Sequence, residues 1–241
     1  MRIITWNIGE DERKEDGRLD LNSYDYIVDV INKEKVDVIC MQEAIIKSDY
    51  LPSIAEYIKE NTDLKYYEEY ELSDSHINIG CRMGVVICSK YEISNVQKVL
   101  FDNPNLVYEI SETTTFYSHD KGFISMDIEG IKVVCGHCLP FHVFKKDSKD
   151  YLDVFKKMDE KIMDFYDDNN KMILCGDFNY QDAKILFENA MNVCNEIIEM
   201  PTKNDKQSDH LAISELLECK MAKVLDNIFD HKLILGEILV K

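Results

Sequence analysis

Residues 172–179, MILCGDFN, are the part of the sequence that most directly indicates the fold. They form a short apolar run that ends at Asp177 and Asn179. A second run of this kind, residues 36–41 within VDVICMQE, stops just before Gln42 and Glu43. Apolar strands of this length are normally covered on both faces of their sheet. Both runs therefore predict central strands with polar side chains at their C-terminal ends.

Outward from these two runs, the chain alternates between strand-like and helix-like patterns. Helical spacing of apolar residues predicts helices after a cap at Asn22 or Ser23, near 52–60, over 151–165 and near 183–190. Period-two or continuously apolar segments predict strands at 2–8, 36–41, 65–72, 83–89, 97–101, 106–110, 123–128, 131–138, 172–175, 211–214, 221–225 and 233–240.

The order of these elements decides between two α/β architectures. Strands alternate with helices in both halves, but the central run over 65–138 is hairpin-like and does not suit a doubly wound parallel sheet. We therefore predict an α+β sandwich of two mixed β-sheets flanked by helices. The even distribution of apolar residues predicts one domain over residues 1–241.

Composition excludes some classes of function. The chain of 241 residues has 46 acidic and 28 basic side chains and a net charge of −18, so it has no general positive field for duplex DNA. No apolar run approaches the ~20 residues of a membrane span. The eight cysteines fall mostly within apolar runs, and the N-terminal residues do not resemble a secretory leader. We expect buried thiols and a cytoplasmic location.

Polar side chains stand at the ends of several predicted strands. Because strand ends in one sheet lie close together, we expect these side chains to form one site. Carboxylate and amide oxygens suit Mg²⁺ or Mn²⁺, and imidazole can hold or protonate a phosphoryl oxygen. The candidates are Asn7, Gln42, Glu43, His137, Asp177, Asn179, Asp209 with His210, and Asp230 with His231.

Seven motifs, taken in order, resemble the endonuclease/exonuclease/phosphatase superfamily, whose fold is DNase-I-like. They extend over almost the whole chain: TWNIG (5–9), DVICMQE (37–43), MGVVICSK (83–90), VVCGH (133–137), LCGDFN (174–179), SDHLAIS (208–214) and FDHKLILGEI (229–238). The resemblance implies a four-layered sandwich. It also implies hydrolysis of a phosphate ester by water, assisted by Mg²⁺ or Mn²⁺.

The resemblance also assigns roles to individual residues. Asn7 and Glu43 match the amide and the carboxylate at the metal, and Glu43 is the first candidate ligand. Asp177 matches the carboxylate that orients or deprotonates the attacking water, and Asn179 the amide that holds the phosphate. His137 matches a position that contacts phosphate.

Two Asp-His pairs compete for the terminal position of the family pattern. FDHKLILGEI fits the closing strand, so Asp230 is predicted at the metal and His231 at the scissile phosphate. Asp209 would then orient His231 through its other ring nitrogen. The reverse assignment, with Asp209 and His210 as the terminal pair, stays open because Phe229 replaces the usual serine.

A further departure from the family pattern is Gly9, which stands where several nuclease members carry a charged side chain. The sequence therefore does not decide whether a second metal binds at this position. Arg82, Lys121 and His142 are candidate substrate contacts. His76 and His119 have no partner pattern and are predicted to be structural.

The sequence leaves three functions open. A nuclease-type phosphodiesterase acting on DNA or RNA ranks first because the family contains many. A phosphatase or phosphodiesterase for small molecules or lipid headgroups fits the net charge of −18 more easily. A non-catalytic binding module is the third, and the presence of the whole residue set argues against it. We expect a monomer, and the sequence predicts no protein partner.

Overall fold

The structure is a computed structural model that describes residues 1–111, 114–166 and 171–241. Its α-helices are α1 Leu21–Glu34, α2 Ile54–Asn61, α3 Leu152–Met163, α4 Ala183–Leu186 and α5 Ala190–Val193. Its strands are β1 Arg2–Asn7, β2 Val38–Ser48, β3 Tyr66–Asp74, β4 Cys81–Ser89, β5 Ile93–Leu100, β6 Val107–Ser111, β7 Thr114–Tyr117, β8 Gly122–Ile128, β9 Ile131–His137, β10 Lys171–Asp177, β11 Cys194–Glu196, β12 Asp209–Ser214, β13 Leu217–Leu225 and β14 Leu233–Val240.

Within the described residues, these strands form two six-stranded mixed sheets and a separate two-stranded hairpin. The first sheet has the order β13-β14-β1-β2-β4-β3 and the second the order β11-β12-β10-β9-β8-β5, while β6 pairs only with β7. Each sheet has one parallel pair at its centre, β1 with β2 and β9 with β10, and its other neighbours are antiparallel. The prediction of two mixed sheets is confirmed.

Helices cover the outer face of each sheet, and the inner faces pack against each other. Helices α1 and α2 share one apolar core with the first sheet, and α3, α4 and α5 share another with the second. A third core lies between the sheets and contains Ile and Val side chains from both of them. The result is the predicted four-layered sandwich, in which the sheets bury both faces.

Several element boundaries differ from those predicted. Helix α1 begins earlier than expected because Asp20, not Asn22 or Ser23, is the N-cap, and its carboxylate accepts a hydrogen bond from the Ser23 N–H. Strand β2 continues past Met41 to Ser48 through a bulge. The predicted helix over 183–190 is instead the two short helices α4 and α5.

Two other sequence expectations concern cysteines and membrane spans. All eight cysteines, each within the described residues, are free thiols, and seven of them are buried while Cys219 is half-buried. In the part of the chain that the structure describes, there is no helix both long and apolar enough to cross a membrane.

Candidate active site

The candidate site lies where the central strands of both sheets end. Asn7 closes β1, His137 closes β9 and Asp177 closes β10, and in the second sheet His137 is the direct neighbour of Asp177. We call the following residues the site floor: Asn7, Glu43, His137, Asp177, Asn179, Asp209 and His231. Their clustering follows from the topology, because the ends of the two parallel pairs meet at one edge of the sandwich.

Asp177 is the centre of the site floor and is almost completely buried. Its Oδ2 accepts a hydrogen bond from Asn7 Nδ2 at 2.9 Å, and its Oδ1 accepts one from the backbone N–H of Asn179 at 2.8 Å. The pKa of Asp177 is raised to about 6, because burial outweighs the opposing charge of His231 and the carboxylate of Asp209 adds to the rise. A carboxylate with such a pKa is suited to accept a proton near neutral pH.

Glu43 reaches the site because β2 is irregular at this point. The register of β2 against β4 shifts between Met41 and Ala44, and Glu43 has a left-handed φ of 54°. The bulge re-aims one side chain toward the pocket instead of the core. Gly9 leaves space for it, since a Cβ added there would overlap the Glu43 carboxylate. The departure from the family pattern at Gly9 therefore has a steric consequence, because a side chain there would displace Glu43.

His137 is held between a lysine and two carboxylates. Lys121 Nζ lies 3.0 Å from His137 Nδ1, and His137 Nε2 lies 3.5 Å from Asp177 Oδ2 and 3.6 Å from Glu43 Oε1. Burial and then Lys121 lower the pKa of His137 well below its usual value. Because an ammonium group only donates, Nδ1 of a neutral His137 can accept from Lys121. Nε2 faces the site, 3.2 Å from the amide nitrogen of Asn179 and near the carboxylates of Asp177 and Glu43.

His231 forms the second imidazole of the site floor. Its Nδ1 lies 2.8 Å from Asp209 Oδ2, and its Nε2 lies 3.8 Å from Asp177 Oδ2. Burial favours the neutral ring, but the charges of Asp209 and Asp177 outweigh burial and raise the pKa of His231 to about 9. A protonated Nε2 therefore points toward Asp177 and the pocket.

His210 and Asp230 have different surroundings from their neighbours in sequence. His210 Nδ1 lies 2.6 Å from Glu196 Oε1, and its Nε2 lies 2.8 Å from the carbonyl oxygen of Tyr180, so its ring is held away from the site floor. Asp230 does line the pocket, and its Oδ2 accepts a hydrogen bond from Lys203 Nζ at 2.6 Å. The geometry favours the arrangement in which Asp209 orients His231.

A pocket of about 280 Å³ opens above the site floor. Carboxylates, amides and lysines line it, including Glu43, Asp177, Asn179, Lys121 and Lys203. Three rings that contact one another, His76, Phe116 and His119, also line it, and we call them the ring wall. This volume is near the lower end of the range for small-molecule sites.

The three predicted substrate contacts have different positions. Lys121 and His142 line the pocket. Arg82 lies outside it and forms ion pairs with Glu71 at 2.7 Å and Asp74 at 2.9 Å. We therefore exclude Arg82 from the proposed substrate contacts.

The sequence also missed residues that the structure brings to the pocket. His76 and His119 line it, although they were predicted to be structural, and Glu10 and Lys203 line it without having been assigned a role. The sequence feature that could have indicated Lys203 is its position in the loop directly before the SDHLAIS motif. His76 and His119 lie in separate loops, so no regular spacing in the sequence relates them to each other or to the site.

Charge in the site fits a bound divalent cation. Burial raises the pKa of both Glu10 and Asp177, and nearby carboxylates raise them further, so negative charge accumulates here at a cost. A hard cation with oxygen ligands would relieve that repulsion. The carboxylates are Glu10, Glu43, Asp177, Asp209 and Asp230, and the cationic groups beside them are Lys121, Lys203 and His231.

Residues 4–192 of the chain match the Endonuclease/Exonuclease/phosphatase family. The match covers most of the sequence, and the protein belongs to this family, as the seven motifs predicted. Members of the family are generally phosphoester hydrolases that use divalent metals. No curated protein sequence matches this chain.

Solved structures with the same fold include proteins of different activity. Mannosyl-6-phosphatase of Bacteroides thetaiotaomicron is 14% identical, with a TM-score of 0.67 and 99% of each chain covered. The catalytic domain of human Nocturnin is 12% identical, with a TM-score of 0.70, covering 100% of this chain and 94% of that one. A Neisseria 3′ phosphatase bound to a product DNA hairpin is 15% identical, with a TM-score of 0.58 and 98% of each chain covered. At these identities the likeness shows the fold alone.

Proposed function

We propose that this protein is a divalent-metal-dependent hydrolase of a phosphate ester, with Mg²⁺ or Mn²⁺ as the cation. The observation that carries the proposal is the position of Asp177 beside the ring of His231, which Asp209 holds at 2.8 Å, among buried side chains at the pocket. Asp177 has a pKa raised to about 6, and His231, whose Nε2 lies 3.8 Å away, has a pKa raised to about 9. Near neutral pH the first is a carboxylate and the second a proton donor, as acid-base catalysis requires.

In this proposal, the residues of the site floor divide the reaction between them. Asp177, fixed by Asn7 and the backbone of Asn179, orients the attacking water and accepts its proton. Protonated His231 donates a hydrogen bond to a phosphoryl oxygen, and Asp209 holds the ring in that orientation. Neutral His137 and the amide of Asn179 donate to the other phosphoryl oxygens.

Metal binding is assigned to Glu43, Asn7 and Asp230. A cation held there would supply Lewis-acid stabilisation of the charge that develops on phosphorus oxygens. Asn7 Nδ2 donates to Asp177 and Asn7 Oδ1 accepts from the Gly9 N–H, and the amide oxygen keeps a second lone pair for a ligand. Asp230 also pairs with Lys203. A metal ion bound by Asp230 would displace the Lys203 ammonium group or share the carboxylate with it.

The pocket favours a small substrate over a polynucleotide. The cations that line it, Lys121 and Lys203, lie within a cavity of about 280 Å³, and the chain carries a net charge of −18. An extended nucleic acid needs a basic groove beyond the reacting phosphate. We therefore rank a phosphatase or phosphodiesterase for small esters above the nuclease that family membership alone suggests. The nuclease stays as second candidate because a neighbour of the same fold binds a DNA hairpin.

Product release from a panel of phosphate esters tests the proposal. The panel contains plasmid DNA, single-stranded DNA, RNA, and mono-ester and bis-ester chromogenic phosphates, each with Mg²⁺, Mn²⁺ or EDTA. We expect chelator-sensitive hydrolysis of the small esters that changes little with added salt. Polynucleotide cleavage that weakens steeply with salt would establish the nuclease instead.

A matched pair of variants ties any activity to the site. Asp177→Asn should lower kcat by about 10²-fold or more because it removes the proton acceptor. Asp102→Asn is the control, since Asp102 is exposed and pairs only with Lys157 among the contacts described. Equal activity of the two variants would overturn the proposed function.

A further inference from the structure

The ring wall is a compact group of three aromatic side chains that line the same pocket as the site floor. The ring centroids of His76 and His119 are 4.0 Å apart, and that of Phe116 is 5.2 Å from His76 in an edge-on arrangement. The three residues come from three places in the chain: the loop between β3 and β4, strand β7, and the segment before β8. Such a convergence of planar side chains in a pocket provides ring faces and edges for a ligand.

The loop that carries His76 is fixed to the site floor. Asn78 is almost completely buried, and its Nδ2 donates to the carbonyl oxygen of Gly9 at 3.1 Å. Its Oδ1 accepts from the Leu19 N–H at 2.8 Å, and its own N–H donates to Ser75 Oγ at 2.9 Å. Because Gly9 lies against Glu43, the loop of His76 is connected to the site floor through Asn78 and Gly9.

The other two rings belong to elements with their own contacts. His119 lies two residues before Lys121, whose ammonium group contacts His137 at 3.0 Å. Phe116 lies on the hairpin of β6 and β7, and Tyr108 of that hairpin lies under Lys145, with Nζ 5.6 Å from the ring centroid. The ring wall and the side chains of the site floor therefore line one pocket.

The imidazoles of the ring wall are uncharged near neutral pH. Burial, then the neighbouring His119 and Lys121, lower the pKa of His76. Burial and Lys121 also lower the pKa of His119. The wall consequently does not present a second cationic site for phosphate. It presents flat, weakly polar ring surfaces that suit stacking.

We propose that the ring wall is a specificity subsite that binds a planar ring in the organic group of the substrate. This inference rests on the proposed function and names its substrate class: a small phosphate ester in which a nucleobase or another aromatic ring lies close to the phosphate. The site floor binds the charged end, and His76, Phe116 and His119 bind the ring. A sugar phosphate that carries no nucleobase or other aromatic ring contacts only the site floor.

Substrate pairs that differ only in the ring test this inference. Nucleoside 5′-monophosphates are compared with ribose 5-phosphate, and 3-phenylpropyl phosphate with propyl phosphate, whose leaving alcohols have similar acidity, using the full chain with Mg²⁺ or Mn²⁺. We expect kcat/KM to be at least about tenfold higher for the ring-bearing member, the size of one stacking contact. Preference in the first pair alone identifies a nucleobase, and preference in both pairs identifies any aromatic ring.

Variants of the ring wall provide the second readout. His76→Ala and Phe116→Ala should raise KM for the ring-bearing ester about tenfold and leave KM for its ringless partner unchanged, while His76→Phe should restore the preference. Tyr66→Ala, which removes an exposed ring on β3, is the control. Hydrolysis without ring preference, or equal losses on both substrates, would overturn this inference and leave the proposed function standing. No hydrolysis of any ester would overturn the proposed function itself.

Discussion

His210 and His231 are both buried imidazoles that directly follow an aspartate, but they use their ring nitrogens differently. His210 has both nitrogens engaged, with Glu196 at 2.6 Å and the Tyr180 carbonyl oxygen at 2.8 Å, and its ring stacks on Phe178. The Nδ1 atom of His231 forms a hydrogen bond with Asp209, and His231 lines the pocket. The nitrogen that faces the pocket, rather than the Asp-His sequence, identifies the histidine suited to chemistry.

The alternation of side chains along a strand explains why Asp209 pairs with His231 and not with His210. In β12, Asp209 lies opposite Asp177 of β10, and the next residue, His210, lies opposite Gly176. Neighbouring residues of a strand point to opposite faces, so Asp209 and His210 do not reach the same site. Asp209 instead meets His231, which is 22 residues away in sequence.

The largest contrast between the two histidines is expected in catalysis. His231→Gln keeps a polar side chain but removes the proton donor, so kcat should fall by about 10² to 10⁴-fold. The measurement is steady-state hydrolysis of whichever ester the panel identifies, beside the unfolding midpoint of the same preparation. If His231→Gln retains most of its turnover while His210→Gln loses it, the roles of the two histidines are reversed.

Asp209 is expected to have a smaller effect because it acts through His231. Asp209→Asn keeps the shape of the side chain but removes the charge that holds the imidazolium, and kcat should fall by about 10 to 100-fold with little change in KM. The double variant Asp209→Asn, His231→Gln should be no slower than His231→Gln alone. Additive losses in the double variant would show that Asp209 acts independently of His231.

Much of the site floor could be predicted because its residues follow buried strands. The apolar runs before Asp177 and Glu43 and the motif before His137 indicated strand ends, and the structure brings these ends of the two sheets together. The direction of Glu43 was less predictable, since it depends on a bulge in β2 that has no clear turn signal in the sequence. Regular periodicity therefore locates strand ends but does not give every side-chain direction.

The ring wall shows why the remainder of the pocket was missed. His76 and His119 are separated by 43 residues and lie in loops, where no periodicity relates one position to another. Their contact depends on how the β3–β4 loop is held by Asn78 and on how the chain enters β8. The exclusion of Arg82 from the pocket has the same origin, because its partners Glu71 and Asp74 are known only once β3 pairs with β4.

His210 should contribute to stability and not to turnover. His210→Ala removes both ring hydrogen bonds and leaves the carboxylate of Glu196 without its buried partner, so the free energy of unfolding should fall by about 2 kcal/mol. Urea unfolding of wild type and variant measures the loss, and kcat per folded molecule should stay unchanged. Unaltered stability together with lost turnover would move His210 into the catalytic set.

The smallest expected effect is a pH dependence of stability that belongs to His210. Burial opposes protonation of the ring, but Glu196 outweighs burial and raises the pKa of His210 in the folded state. Protonated His210 therefore contributes to the stability of the folded protein. This contribution is complete below the usual histidine pKa of about 6.5 and is lost as the pH rises through the pKa of His210 in the folded state. The difference in unfolding free energy between wild type and His210→Ala should therefore shrink as pH increases above neutrality. The pKa of His231 is raised in both proteins, so its contribution cancels in this difference. A difference that stays constant over this range would mean that His210 is held as the neutral ring and that Glu196 stabilises it by hydrogen bonding alone.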